Sequence, residues 1–299
     1  MEKAEKTRRG FKISRDIFAI VGITLLVVYV ISLFIPLIWA AITSLKTRED
    51  FYYNKFGLPE QWMFVNYVTA FTKMSITVNI PGGTATAYTY QMFMNGLVYA
   101  LGCTFMGIMT PAVTAYCVSR YKFFFGRILY GIVIFTMILP VIGNLASELQ
   151  VARAIGTYNS MIGVWIMKGN FLGMNFLVFH AAFKGLSRDY SEAAFIDGAT
   201  HFGVFFKIMF PLILPTISTL ALLAFIGFWN DYQTPMIYMP DIPTIAYGLF
   251  VYQFSTDNLI SSVPLQLTGC MIVSIPVMII FVIFRNKLIM NVSLGGLKE

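Results

Sequence analysis

The side chains with most capacity for chemistry in this sequence stand together. Residues 191–199 read SEAAFIDGA, and Arg188, Asp189, Glu192, Asp197 and Lys207 cluster around them in a chain that is only 12% charged. An enzyme would need a nucleophile or an acid–base constellation beside such carboxylates, and none is present. There is no H-E-x-x-H or G-x-S-x-G element. His180 and His201 form no metal pair, and Cys103, Cys117 and Cys270 match no zinc or redox spacing. The sequence holds no G-x-x-x-x-G-K-[ST] loop, nor any Gly–Lys pair, so it has no such route to ATP hydrolysis. What remains for the cluster is contact with another molecule.

Its local chemistry predicts two short helices with a bend. Ser187 and Asp189 are good N-cap residues. Glu192 lies in a first turn, where a carboxylate suits the helix dipole. Ala193 and Ala194 favour helix and let another surface approach closely. Gly198 breaks the helix, and Asp197 is placed to cap the second one. Phe202, Phe205, Phe206 and Met209 then recur at helical spacing as one apolar face. Such a pair could dock into a groove on a partner, or lie as an amphipathic helix along a membrane.

The elements that carry this insert are read from composition. The chain is 58% hydrophobic with a mean hydropathy of +0.73, against about 45–50% apolar in soluble domains. The excess falls in blocks, as in a polytopic membrane protein. Six segments are candidate spans: about 17–41, 92–117, 128–147, 161–183, 209–229 and 263–284. The fourth is interrupted by Lys168, Gly169 and Asn170. Lysine is costly at mid-membrane, so the spanning part is expected to start near Asn170, with 159–168 along an interface. The first apolar run is too long for a signal peptide and has no small-residue cleavage site.

With six spans, fifteen of the 21 basic residues fall on one side. They lie in the N-terminal tail (1–16), in 119–127, in 184–207, and at Arg285 and in the C-terminal tail (286–299) that follows it. The positive-inside rule makes both termini and SEAAFIDGA cytoplasmic. It also accounts for the formal charge of +7 without nucleic acid as a partner. The membrane domain then runs over 17–285, with the insert at about 186–207 and long outer loops at about 46–90 and 231–262.

No predicted span carries an acid at its centre, and Glu148 and Asp231 fall near outer ends, which argues against an ion-coupled carrier. Pro36, Pro111, Pro140, Pro211, Pro215 and Pro276 lie in or at the edges of spans, where they permit kinks. Asn144, Trp229 and Asn230 are candidates for a translocation path. Helix packing or interfacial anchoring is the competing reading of each.

EAAFIDGA resembles the E-A-A-x-x-D-G-A motif of permease subunits of binding-protein-dependent ABC importers, and FFKIMFPLILP continues the likeness. AYCVSRYKFFFGRILY, FIGFWNDYQTPMIYM, NYVTAF and the tail SLGGLKE extend it over most of the chain, toward the carbohydrate-type permeases and the six-span partner of the maltose-type pair. Gly96, after Asn95, stands where Asn–Ser is common, and Leu186–Ser187–Arg188 replaces the usual proline before the motif.

The resemblance implies an all-α, six-span type I importer permease in the bacterial plasma or inner membrane. It implies a second, similar permease, two ATPase subunits that bind ATP and Mg, an extracellular or periplasmic binding protein, and a sugar or oligosaccharide cargo. A non-sugar solute is the alternative, and an ion-coupled carrier a more distant one. This chain itself would be no enzyme and hold no metal or cofactor. Its motif would form a coupling helix seated in an ATPase cleft. Glu192 would pair with or cap a group there, Ala193, Ala194 and Ala199 would allow close approach, Asp197 would hold the bend and Gly198 provide it. The outer loops would meet the binding protein, and the tail around Gly295–Gly296 the ATPases.

Overall fold

A computed structural model describes the backbone of residues 2–139, 143–257 and 261–294, and the side chains of 19–139, 143–257 and 261–284. The expected contacts at Gly295–Gly296 lie outside these residues. The chain is mostly helical. In order come α1 (Glu2–Thr43), α2 (Arg48–Tyr53) and α3 (Val65–Lys73), a hairpin of β1 (Ser75–Ile80) and β2 (Gly83–Tyr88), then α4 (Thr89–Arg120), α5 (Phe124–Ile138), α6 (Leu145–Ala154), α7 (Met161–Lys168) and α8 (Met174–Gly185). The insert supplies α9 (Asp189–Ile196) and α10 (His201–Val204). A π-helical stretch, Phe205–Met209, leads to α11 (Phe210–Leu212) and α12 (Leu214–Trp229). The chain continues through α13 (Gln233–Tyr238), α14 (Ile245–Gln253) and α15 (Val263–Leu294).

Among the described residues, three stretches are long and apolar enough to cross a membrane: Ala19–Thr43, Thr89–Arg120 and Val263–Phe284. A fourth is the pair His201–Leu212 and Leu214–Trp229, bent by 76°. Prolines explain the bend. Pro211 and Pro215 each stand in the first turn of the helix that follows, and between them Ile213 leaves the helical region at ψ 8. The other two expected segments are shorter than their apolar runs. The third stops as α5 at Ile138, and Asn144–Ser147 belong to α6 and its cap rather than to a span. The fourth divides into α7 and α8, separated by Gly169 and by Gly173 at φ 118.

The hairpin is an exception to the all-helical expectation. SITVNI and GTATAY alternate large and small, β-branched and polar residues, a period-two signal. Ile76, Val78 and Ala87 are buried. Pro81–Gly82 make the turn, with Gly82 at φ 96 and Ile80 paired to Gly83. The hairpin is fastened by Asp241, whose Oδ1 accepts from Asn79 N (2.8 Å) and Nδ2 (3.2 Å), while its Oδ2 accepts from Asn159 Nδ2 (2.8 Å).

By contacts the chain forms two units. One comprises residues 1–71 and 256–272. Its centre is the chain turn after α1, where Ser44 O accepts from Asn66 Nδ2 (2.9 Å) and Thr268 Oγ1 (3.0 Å). Lys46 is buried there, its ammonium donating to Asn54 O. The apolar side chains of α1 from Ile20 to Ile38 are exposed, as a lipid-facing helix requires.

The second unit comprises 72–255 and 273–299 and is organised by α4, which packs on α7, α8 and α12. Small residues let these helices approach. Gly102 stands directly against the Trp165 indole, so an added Cβ would overlap the ring. Gly102→Ala is therefore expected to cost about 1–3 kcal/mol through displacement of Trp165, read as a fall in unfolding temperature in detergent. An unchanged midpoint would mean that α7 can yield.

Candidate functional site

The insert is held rigidly and yet presented outward. Arg188 occupies the N-cap position of α9 without a side-chain cap, and Ser187 Oγ accepts from Asp189 N at 3.2 Å. At the other end Gly198 takes φ 80. Gly198 N donates to Phe195 O (3.1 Å) and Ala199 N to Ala194 O (2.9 Å), the paired bonds of a Schellman stop. Thr200, rather than Asp197, caps the next helix: its Oγ1 accepts from Gly203 N at 3.2 Å. Asp197 serves as the C-cap of α9, its backbone N–H bonded to Ala193 O and Phe195 O.

The small residues divide by direction. Ala194 is buried and Ala199 half-buried, both against the core that includes Phe183, Val204 and Phe205. Glu192, Ala193, Asp197 and Gly198 are exposed. The expected aromatic face divides too. Phe205 and Met209 enter the core through the π-helical turn, whereas Phe202 and Phe206 stay outside. Ile196 is 86% and Phe202 79% exposed, with Tyr190 beside them in sequence on α9.

The insert is bolted to the end of α4. Tyr121 OH and His201 Nδ1 share a hydrogen bond of 2.9 Å, and the Phe195 ring lies 4.9 Å from that of His201. Tyr116 packs against Phe183 and Phe205 at 5.3 and 4.8 Å between ring centroids. Arg120 Nη2 donates to Leu186 O at 3.0 Å. A push on α9 therefore reaches a 32-residue helix directly.

Elsewhere in the same unit, two cavities of about 530 Å³ each share Lys168 and Asn170 in their walls. The first also involves Asn175, Phe228 and Asp231, and the second Asn144, Glu148, Thr234 and Tyr238. Lys168 Nζ donates to Thr234 Oγ1 (3.1 Å) and lies 5.9 Å from the Phe228 ring centre. Asp231 accepts from Thr234 N (3.0 Å) and from Tyr99 OH (2.8 Å). Glu148 accepts from Tyr238 OH (2.8 Å) and from Asn144 Nδ2. Burial first, then the bond to Glu148 and its charge, push the Tyr238 phenol up to about 12, so it remains a donor at neutral pH. Polar hydroxyl, amide and charged groups lining these cavities suit a polar ligand.

Of the three residues expected on a path, only Asn144 lines either cavity. Trp229 is buried, its Nε1 donating to Val273 O at 3.1 Å and its ring set edge-on to Phe93. Asn230 is tied to its own helix through Ile226 O at 2.9 Å. Lys168 and Asn170 line both cavities and Asp231 the first. Their signal was available: a Lys–Gly–Asn interruption in an apolar run, and an acid directly after the Trp–Asn pair.

Residues 104–289 match the family model described as binding-protein-dependent transport system inner membrane component. A diacetylchitobiose uptake system permease protein of Streptomyces coelicolor is 25% identical over 283 residues, covering 93% of this chain and 88% of the relative. A probable starch degradation products transport system permease protein of Thermoanaerobacterium thermosulfurigenes is 25% identical over 294 residues, covering 97% and 100%. Among solved structures, a chain of a bacterial ABC transporter involved in import of the acidic polysaccharide alginate superposes with a TM-score of 0.73 at 22% identity, covering 91% of this chain and 97% of that one. With its apolar helices and this match over most of its length, the chain belongs to the inner membrane components of binding-protein-dependent transport systems, as a multi-pass ABC importer permease.

Proposed function

We propose that this chain is one of two permease subunits of an ABC importer for a sugar or oligosaccharide, and that α9 is its coupling helix. The observation that carries the coupling role is the combination on α9: a Schellman-stopped helix, anchored by Ala194 and Ala199, with Glu192, Ala193 and Ile196 presented outward. Two separate ATPase subunits, which bind ATP and Mg, receive this surface. Closure of the ATPase dimer moves α9, and the rings linking it to α4 pass the motion on. Access alternates because the ATPases bind the two states with different affinity.

In this reading the chain crosses the membrane six times with both termini cytoplasmic. The short α5 and α8 span by local thinning of the bilayer and by packing on α4. Residues 46–90 and 231–262 face a solute-binding protein. The two cavities around Lys168 form this subunit's share of the path, with the second permease closing it. The carbohydrate cargo is supported by the names of the relatives and by the hydroxyl- and amide-rich cavity walls.

Reconstitution tests the whole reading. Uptake of an oligosaccharide into proteoliposomes is expected only with both permeases, the ATPases, the binding protein and ATP. Uptake by this chain alone, driven by an ion gradient, would overturn it. ATP-driven uptake of a non-sugar solute through the full assembly would overturn the cargo and keep the machine.

A further inference from the structure

A third cavity, of about 730 Å³, lies where α4 ends, α5 begins, α8 ends and the insert starts. Arg120, Lys122, Arg127, Lys184 and Arg188 line it together with His180, and no carboxylate does. The positive-inside rule accounts for basic residues at this level of the chain. It does not account for their convergence on one concavity. Five side chains from four segments repel one another there unless an anion sits among them.

Arg120 shows the demand most plainly. Its Nη2 is used on Leu186 O, while its Nε is buried without a partner. A buried donor left unpaired is costly. Of the acids nearest in sequence, Asp189 lines neither this cavity nor its neighbour, and Glu192 lines only a smaller one of about 160 Å³ with Arg120 and Arg188.

The surroundings favour an amphiphile over a free anion. Phe123 and Phe124 also line the cavity, Phe124 being 78% exposed, and Phe125 next to it is exposed as well. The Tyr130 and His180 rings lie 4.8 Å apart, tilted by 45°, along another wall. A soluble phosphate would use only the cations. A phospholipid would use the cations for its phosphate and the phenylalanines for its acyl chains.

We infer that this cavity binds the phosphate-bearing headgroup of an anionic phospholipid from the cytoplasmic leaflet. The inference rests on the proposed topology, which puts this end of the chain in the cytoplasm. Because Arg188 stands at the N-cap position of α9 and Arg120 donates to Leu186 O just before Ser187, a bound headgroup steadies the root of the insert.

The test uses the complete transporter in detergent, titrated with phosphatidylglycerol and read by native mass spectrometry. Lys122→Gln with Arg127→Gln removes two exposed cations that make no structural bond described above. Lys55→Gln with Lys73→Gln removes the same charge elsewhere. The first pair is expected to weaken retention about tenfold or more, at roughly one tenfold step or slightly less per basic residue, and the second to leave it unchanged. Equal retention by all three proteins overturns the site. Displacement of the lipid by millimolar inorganic phosphate overturns the lipid and leaves a soluble anion as ligand. Labelling of Lys122→Cys by an impermeant maleimide separates the two readings. Labelling from the cytoplasmic side with a flat lipid titration sinks the site alone. Labelling from the outside sinks the topology and the assigned leaflet.

Discussion

Gly198→Pro is expected to abolish ATP-driven uptake while the protein still inserts and assembles with its partner permease. Gly198 sits at φ 80, and proline is fixed near −65°. Proline also removes the Gly198 N–H that bonds Phe195 O, and it drives Asp197, now at φ −73 and ψ 4, out of the helical region. The closing bond from Ala199 N to Ala194 O cannot survive both changes. Ile196 and Thr200 then point elsewhere, and the surface offered to the ATPase is lost.

Graded variants isolate the backbone from sterics, because no atom lies within 4 Å of where a Cβ on Gly198 would stand. Alanine therefore meets only the left-handed penalty of about 1–2 kcal/mol, and asparagine less. Uptake per ATP hydrolysed should fall in the order Gly, Asn, Ala, Pro. If Gly198→Pro transports at the parental rate, α9 is not the motor contact.

The features legible in the sequence were those with a local cause. The bend at Gly198 followed from glycine itself, and the insert's two helices from Ala193, Ala194 and the flanking caps. The apolar blocks gave α1, α4 and α15 because each is continuous. Other features depended on partners distant in the chain. SITVNI and GTATAY fell inside a segment read as a loop; they pair with each other locally, and Asp241, over 150 residues on, fastens the hairpin through Asn79. The aromatic face at 202–209 looked single, since helical spacing cannot anticipate a π-helical turn that rotates Phe205 and Met209 inward. Trp229 carried two readings from its type, path lining and packing or interfacial anchoring. Its burial depends on Phe93, Phe225 and Val273, which no local pattern ties to it.

Asp231 carries the second large effect, and its substitution separates a strut from a cargo contact. Asp231→Ala leaves Tyr99 OH and Thr234 N without their acceptor, in a residue pair where Tyr99 is fully buried. Each orphaned donor costs about 1–3 kcal/mol, so the unfolding temperature of the assembled transporter should fall clearly. Lys168, which leans on Thr234 Oγ1, loses its support as well. Tyr99→Phe in the same chain takes away one of the stranded donors. The double variant should therefore recover part of the lost stability, a non-additive result expected of direct partners. Transport answers the other question. A strut is repaired along with the fold, and uptake would return in step with the unfolding temperature. A carboxylate that meets a sugar hydroxyl in the cavity it shares with Lys168 and Asn170 is not replaced by a phenyl ring. Stability should return in the double variant while the substrate concentration for half-maximal uptake stays raised about tenfold, the worth of one charge-assisted hydrogen bond. Recovery of both together would place Asp231 in the packing and move the path to Lys168, Asn170 and Asn175.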